Sequence, residues 1–187
     1  MENIERCAWV NDDPLYIKYH DEEWGVPVYD DTRMFEFLIL ETFQAGLSWY
    51  TILKKRDSFR EAFDEFDYRK IALYSEPKIE ELLQNSGIIR NQLKIRAAVN
   101  NAQRYIEVQK EFGSFCDYIW AFVNHKPLVN HWKSIKEVPA TTPISDKLSK
   151  DLKKRGFKFV GSTTIYAHMQ ACGMVNDHVR SCFRVNS

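Results

Sequence analysis

Leu82-Leu83-Gln84-Asn85-Ser86-Gly87-Ile88-Ile89-Arg90 runs from one helical segment into another through a short turn built on Gly87. Upstream, Pro77 marks the start of a short helix, because proline suits a first helical turn. Downstream, residues 91–112 form the longest helical run in the chain. A join of this kind has two uses. It packs two helices together, or it also presents backbone N–H groups at a helix N-terminus. Such groups hold a DNA phosphate without any positive side chain. The segment alone leaves both open, and the second would let a neutral protein bind DNA.

The same signals recur on either side. Asp12-Asp13-Pro14 caps a helix through Leu15, Tyr16, Tyr19 and His20. Asp30, Asp31 or Thr32 caps the next, with Phe35, Leu38 and Ile39 at helical spacing. That helix stops at Gln44-Ala45-Gly46, where glycine takes the left-handed conformation. Ser48 caps residues 49–55, Asp67 opens a short helix, and residues 115–124 and 145–155 form two more. Gly161-Ser162 precedes a last long helix ending near Cys172-Gly173. Residues 126–143, with three prolines, are the best loop. Strand signals do not recur, and no repeat is visible. The fold class is all-α, a helical bundle. At 187 residues it forms one domain over 1–187, or two helical lobes sharing a core.

A chain of this size buries roughly 70% of its unfolded surface, so it needs no metal or disulfide merely to have a core. No stretch approaches the roughly 18 apolar residues of a membrane span. The start MENIERCAWV lacks the pattern of a secretory signal, and the four cysteines form no CxxC pair. A cytoplasmic location is the expectation. Formal net charge is zero, but residues 1–50 hold eleven acids against three bases, so the remainder is positive. That asymmetry fits either a polyanionic partner or an ordinary dipolar surface.

Two groups of residues carry chemistry. Cys7 and His20 lie near one end, and His178 and Cys182 near the other. The i, i+4 spacing of the latter pair would put both on one side of a helix. Two cysteines and two histidines complete a tetrahedral zinc set with no position left for water, hence a structural site. Spacing alone is a weak signal, and four unrelated side chains fit it too. Cys116 and Cys172 read as core, and His168 as packed or exposed. The second group is aromatic: Trp9, Tyr16, Tyr19, Trp24 and Trp49 can wall a nucleobase pocket by stacking, or belong to the core. Glu41 follows the apolar run 35–40. It is either a solvated residue near the helix end or a buried acid, and burial there needs a cation or a donor.

These residues together resemble the 3-methyladenine DNA glycosylase I family, over nearly the whole chain from Arg6 to Cys182. The segments that carry the resemblance are Arg6-Cys7-Ala8-Trp9-Val10, Asp13-Pro14-Leu15-Tyr16, Tyr19-His20-Asp21, Glu23-Trp24-Gly25-Val26-Pro27 and Gln44-Ala45-Gly46-Leu47-Ser48-Trp49. Others are Glu41, Leu53-Lys54-Lys55-Arg56, Gly87-Ile88-Ile89-Arg90, Lys153-Lys154-Arg155-Gly156-Phe157-Lys158-Phe159-Val160-Gly161, Met169-Gln170-Ala171-Cys172-Gly173 and Val175-Asn176-Asp177-His178. The resemblance implies a helix–hairpin–helix glycosylase that releases 3-methyladenine from double-stranded DNA and leaves an abasic site. It implies one structural zinc on Cys7, His20, His178 and Cys182. It puts the base-reading carboxylate at Glu41 and the pocket at Tyr19 and Trp49, with Trp9, Tyr16 and Trp24 near it. It makes the turn Gln44, Gly46 and Leu47 the element inserted into DNA, with Leu47 as the wedge and Gly87 in the hairpin contact. The family lacks the catalytic aspartate usual in hairpin glycosylases. A monomer is expected. Ala8, where glycine is expected, and Thr42-Phe43 ahead of Gln44 are departures. A zinc-stabilised DNA-binding module without catalysis is the alternative. A zinc hydrolase is a third reading, and four protein ligands deny it the open position it needs.

Overall fold

The computed structural model describes residues 4–186. Asp13 caps α1 (Pro14–Glu22) by accepting from the Leu15 amide, with Pro14 in the first turn. Asp30 caps α2 (Asp31–Gln44) and Ser48 caps α3 (Trp49–Lys54). There follow α4 (Arg56–Ala62), α5 (Tyr68–Ile71) capped by Asp67, and α6 (Glu76–Gln84). Asn91 caps α7 (Gln92–Phe112), and Ser114 caps α8 (Phe115–Trp120). The set closes with α9 (Pro143–Lys154), held by a capping box on Thr142, and α10 (Ser162–Ala171).

Several boundaries differ from the sequence expectation. The run 115–124 is helical only to Trp120, then tightens into a 3-10 turn and ends with Asn124 in the left-handed region. The helix expected from Ser145 starts two residues earlier, because Pro143 takes the first helical position. Helix α4 lacks a side-chain cap and was not expected. Within the proline-rich loop, β1 (Leu128–Val129) pairs in parallel with β2 (Val175–Asn176). Two residues per strand are too few to leave a period-2 signal. No helix among the described residues is long and apolar enough to cross a membrane.

Helix α2 is the centre of the molecule. Met34, Phe35, Phe37, Leu38, Ile39, Leu40 and Phe43 are all fully buried, so it has no solvent face. A helix apolar on every side belongs inside a core. It packs against α3, α7, α8 and α10. Asp31, in its first turn, does not cap α2 but receives the amides of Phe115 and Cys116 at 2.9 Å, fixing the start of α8. One apolar cluster runs from Cys7 to Cys182 and includes Cys116 and Cys172. His168 is buried as well, against the Met34 carbonyl at 3.2 Å, and burial lowers its pKa to about 4.

The end of α10 anchors the segment that follows α1. The Gly25 amide donates to the Gln170 carbonyl at 3.0 Å, and the Val28 amide to that of Cys172 at 2.9 Å. Gly173 makes this approach feasible: its φ is +72°, and a Cβ would lie 2.3 Å from Pro27 N and Val26 C. Both neighbours are backbone and cannot turn aside. Gly173→Ala should therefore cost about 3 kcal/mol or more, combining overpacking with left-handed strain. A urea midpoint unchanged from wild type would contradict this contact.

Candidate functional site

Trp9, Tyr16, Tyr19, Trp24 and Trp49 converge around a cavity of about 190 Å³ that also exposes Glu41. The first comes from the N-terminal segment, the next two from α1, and Glu41 from the last turn of α2. The rings support one another. Trp9 lies 5.1 Å from both Tyr16 and Trp24, and Tyr19 lies 5.3 Å from Trp49, centroid to centroid. Tyr16 in turn stacks on Tyr50, whose hydroxyl donates to the Asp13 carboxylate. The cap of α1 thus also braces the cavity wall.

Glu41 is 5% exposed, which settles its two sequence readings in favour of the buried acid. It has no hydrogen bond or ion pair among the described residues. Burial alone pushes its pKa up to about 8. The contrast with Glu36 on the same helix is informative. Glu36 is also buried, but Arg56 and Arg60 donate to it at 2.7 and 2.8 Å and hold its carboxyl below the usual range. Two further polar groups at the cavity lack partners: the Trp49 indole N–H is buried and unpaired, and Tyr19 is pushed well above the usual tyrosine value by burial and by Glu41. A buried acid, a free indole donor and an unbonded phenol in one aromatic cavity form a site for a flat, polar, cationic ligand.

Cys7, His20, His178 and Cys182 are all buried, with ligand atoms within 4.8 Å of one another. Cys182 Sγ is 3.5 Å from His20 Nε2 and 3.4 Å from His178 Nδ1, and Cys7 Sγ is 3.5 Å from the latter. A tetrahedron with metal–nitrogen bonds of about 2.0 Å and metal–sulfur bonds of about 2.3 Å has edges of roughly 3.3–3.8 Å. The tautomers also fit. His20 Nδ1 faces the Asp21 carboxylate at 2.7 Å, and His178 Nε2 faces the Trp24 carbonyl at 3.0 Å. Both partners only accept, so each ring carries its proton outward and turns a lone pair to the centre. Arg6 holds Asp21 at 2.7 Å. The His178–Cys182 pair is not on a helix, contrary to its spacing; a turn closed by Cys182 N and Val179 O at 2.8 Å brings the two together. The cluster backs the cavity, since Trp9 packs edge-on to His20 and Trp24 edge-on to His178.

The turn after α2 stands at the cavity mouth. Gly46 takes φ +81°, the Leu47 amide closes on the Gln44 carbonyl at 2.7 Å, and Leu47 is 40% exposed. Lys94, buried in the first turn of α7, donates to the carbonyls of Phe43 and Ala45 at 2.8 and 2.6 Å. It ties this turn to the hairpin that carries Gly87. The Gly87 amide itself is taken by the Asn85 side chain at 2.8 Å, and a Cβ there would meet Ser58 at 2.9 Å. A second cavity of about 200 Å³ adjoins the first through Glu41, Gln44 and Ala167, and reaches Thr163 and Thr164. Those threonines open α10, whose N-terminus has no side-chain cap. Sequence reasoning singled out neither them nor Ile135 and Gln170, which also line the first cavity. Three of the eleven acids in residues 1–50, Asp21, Glu23 and Glu36, are held in ion pairs with Arg6, Arg33, Arg56 and Arg60.

Residues 9–185 match the model of the methyladenine glycosylase family. The chain is 52% identical over 179 residues to DNA-3-methyladenine glycosylase 1 of Escherichia coli (strain K12), covering 96% of each chain. It is similar to a crystal structure of 3-methyladenine DNA glycosylase I, with TM-score 0.94, 51% identity, and 96% of this chain and 99% of that one covered. It is equally close in fold to a Y16F variant of 3-methyladenine DNA glycosylase I in complex with 3-methyladenine, with TM-score 0.94, 36% identity, and 97% and 98% covered.

Proposed function

The chain belongs to the methyladenine glycosylase family, and from that premise we infer that it acts in base-excision repair, hydrolysing the N-glycosidic bond of 3-methyladenine in alkylated DNA. The observation that carries the reading is Glu41: a buried carboxylate, unpartnered, in a cavity walled by tryptophan and tyrosine. The lesion matches that gap. 3-Methyladenine is cationic while attached to deoxyribose, and departs neutral.

Little acid catalysis is needed for such a leaving group. The C1′–N9 bond breaks with its electron pair going to the base, water forms the new bond to C1′, and its proton passes to solvent. The protein must extrude the nucleotide, at a cost of a few kcal/mol in unstacking, and hold it. Glu41 accepts from the adenine edge, Trp49 stacks on the ring and Tyr19 supplies a polar contact. Trp9, Tyr16 and Trp24 complete the walls. Gln44, Gly46 and Leu47 enter the duplex, with Leu47 filling the vacated stack. The uncapped start of α10, beside the second cavity, suits a backbone phosphate. Gly87 shapes the hairpin turn that Lys94 joins to the wedge. The substrate is duplex DNA and the chain acts as a monomer, since one copy supplies every wall of the cavity.

Cys7, His20, His178 and Cys182 would hold zinc, the metal a closed set of two thiolates and two imidazoles suits best. It would join the chain ends behind Trp9 and Trp24 and take no part in the chemistry. Among the described residues no lysine lines the cavity and Lys94 is engaged by two carbonyls, so no lysine amine there is placed to form a Schiff base. Incubation with methylated DNA should therefore release 3-methyladenine on chromatography, and borohydride should trap no adduct. DNA binding without release would leave a binding module; a trapped adduct would overturn the monofunctional mechanism.

A further inference from the structure

We propose that Gln170 is a specificity-determining residue: a fixed hydrogen-bond acceptor for the exocyclic amine of the bound purine, oriented by Asp177. The proposal rests on the glycosylase reading and deepens it. Gln170 lies on α10 and lines the same cavity as Glu41 and Trp49. Its Nε2 donates to Asp177 Oδ2 at 2.9 Å. Asp177 is fully buried and collects three more donors: the Tyr166 hydroxyl, Asn130 Nδ2 at 2.7 Å and Trp132 Nε1 at 2.8 Å.

A carboxylate surrounded by donors has only acceptors to offer. The amino end of the Gln170 amide is therefore the end that faces Asp177, and chemistry alone decides its orientation. The carbonyl oxygen, Oε1, is left without a partner among the described residues. The backbone of Gln170 is fixed too, by the Gly25 amide at 3.0 Å. The cavity thus brings Glu41 and Gln170 Oε1 together. A 6-aminopurine presents two N–H groups from one nitrogen, enough for both. A 6-oxopurine puts an oxygen there and leaves Gln170 Oε1, which has no proton to give, unpaired in a buried site. A site built to bond a polar group rejects the analogue lacking it strongly.

Asp177 is then a positioning residue, acting through Gln170 and not on the base. This gives the loop around β1 a purpose, because Asn130 and Trp132 reach Asp177 from it.

The test compares two free bases, 3-methyladenine and 3-methylpurine, which carries hydrogen in place of the 6-amino group. Binding is read by tryptophan fluorescence in wild type and in Gln170→Met. Release of 3-methyladenine against 3-methylguanine from methylated DNA is measured alongside. Wild type should prefer 3-methyladenine by at least roughly 30-fold, and Gln170→Met should shrink that preference about tenfold, the share of one hydrogen bond. The share of 3-methylguanine released should rise in the variant. Equal affinity of wild type for the two bases would overturn the proposal without any variant. A preference unchanged in Gln170→Met would overturn it equally. Wild type that releases no 3-methyladenine would instead overturn the glycosylase reading, so the two failures are distinguishable.

Discussion

Glu41→Gln should make the protein more stable and nearly inactive, and the stabilisation should grow with pH. Burial holds Glu41 at a pKa of about 8 in the folded chain, against 4.5 for a free glutamate carboxyl. Between those values the folded state keeps a proton that the unfolded state has lost. Stability therefore falls as pH rises through this window. The penalty is absent below about pH 4 and complete above about pH 8. A difference of this size corresponds to roughly 3–5 kcal/mol at the alkaline end. Glutamine removes the ionisable group and with it the penalty. Melting curves of the two proteins should nearly coincide at pH 4.5 and separate by on the order of 10 °C at pH 8.5. A gap independent of pH would mean that Glu41 carries no such burden. Excision should fall about 100-fold or more, as for loss of a preorganised charge at a transition state. Wild-type single-turnover excision should climb with pH up to about 8, as Glu41 ionises toward the cationic base, and the residual rate of the variant should stay flat. In the proposed mechanism stability is given up at Glu41 to keep the acid bare, whereas Glu36, about one and a half helical turns away, is also buried but doubly paired.

What was legible in the sequence follows from which decisions are local. Asp13, Ser48 and Asn91 cap as their neighbours dictate, because a cap needs only the next three residues. Gly46 stops α2 for an equally local reason. The burial of Glu41 is not local. One signal was present: Phe35 through Leu40 has only Glu36 as a polar break, so α2 has no solvent face on which to put Glu41. His178 and Cys182 meet as expected, but through a turn, since the same four-residue separation is bridged by more than one backbone path. Gln170 was missed because its role depends on Asp177, Tyr166, Asn130 and Trp132, which are drawn together only by the tertiary fold. Gly87 fits the hairpin, although its amide serves the turn and not an open anion site.

Cys182→Ser should break the proposed metal site and lower the melting temperature. Binding of zinc to small metal-folded peptides is worth about 10–16 kcal/mol, and here a preformed core lowers the share that folding needs. A loss of about 3 kcal/mol or more, on the order of 10 °C, is the expectation. The local consequence matters more. Phe183 N reaches back to Glu5 O at 3.1 Å, and the Arg6 guanidinium lies over the Phe183 ring, so the two ends meet beside the cluster. With the knot open, Trp9 and Trp24 lose the histidines against which they pack, and affinity for free 3-methyladenine should fall with stability. Entry of the metal must also displace the Cys7 proton, which burial holds up to about 12, so metal uptake should release acid and weaken as pH falls. The decisive measurement follows chelation in time. In a closed structural site, excision should decay at the same rate as near-ultraviolet ellipticity, because activity disappears only as the walls do. Activity that vanished first, with the fold still intact, would put the metal in the chemistry and require an open coordination position that the four side chains do not leave.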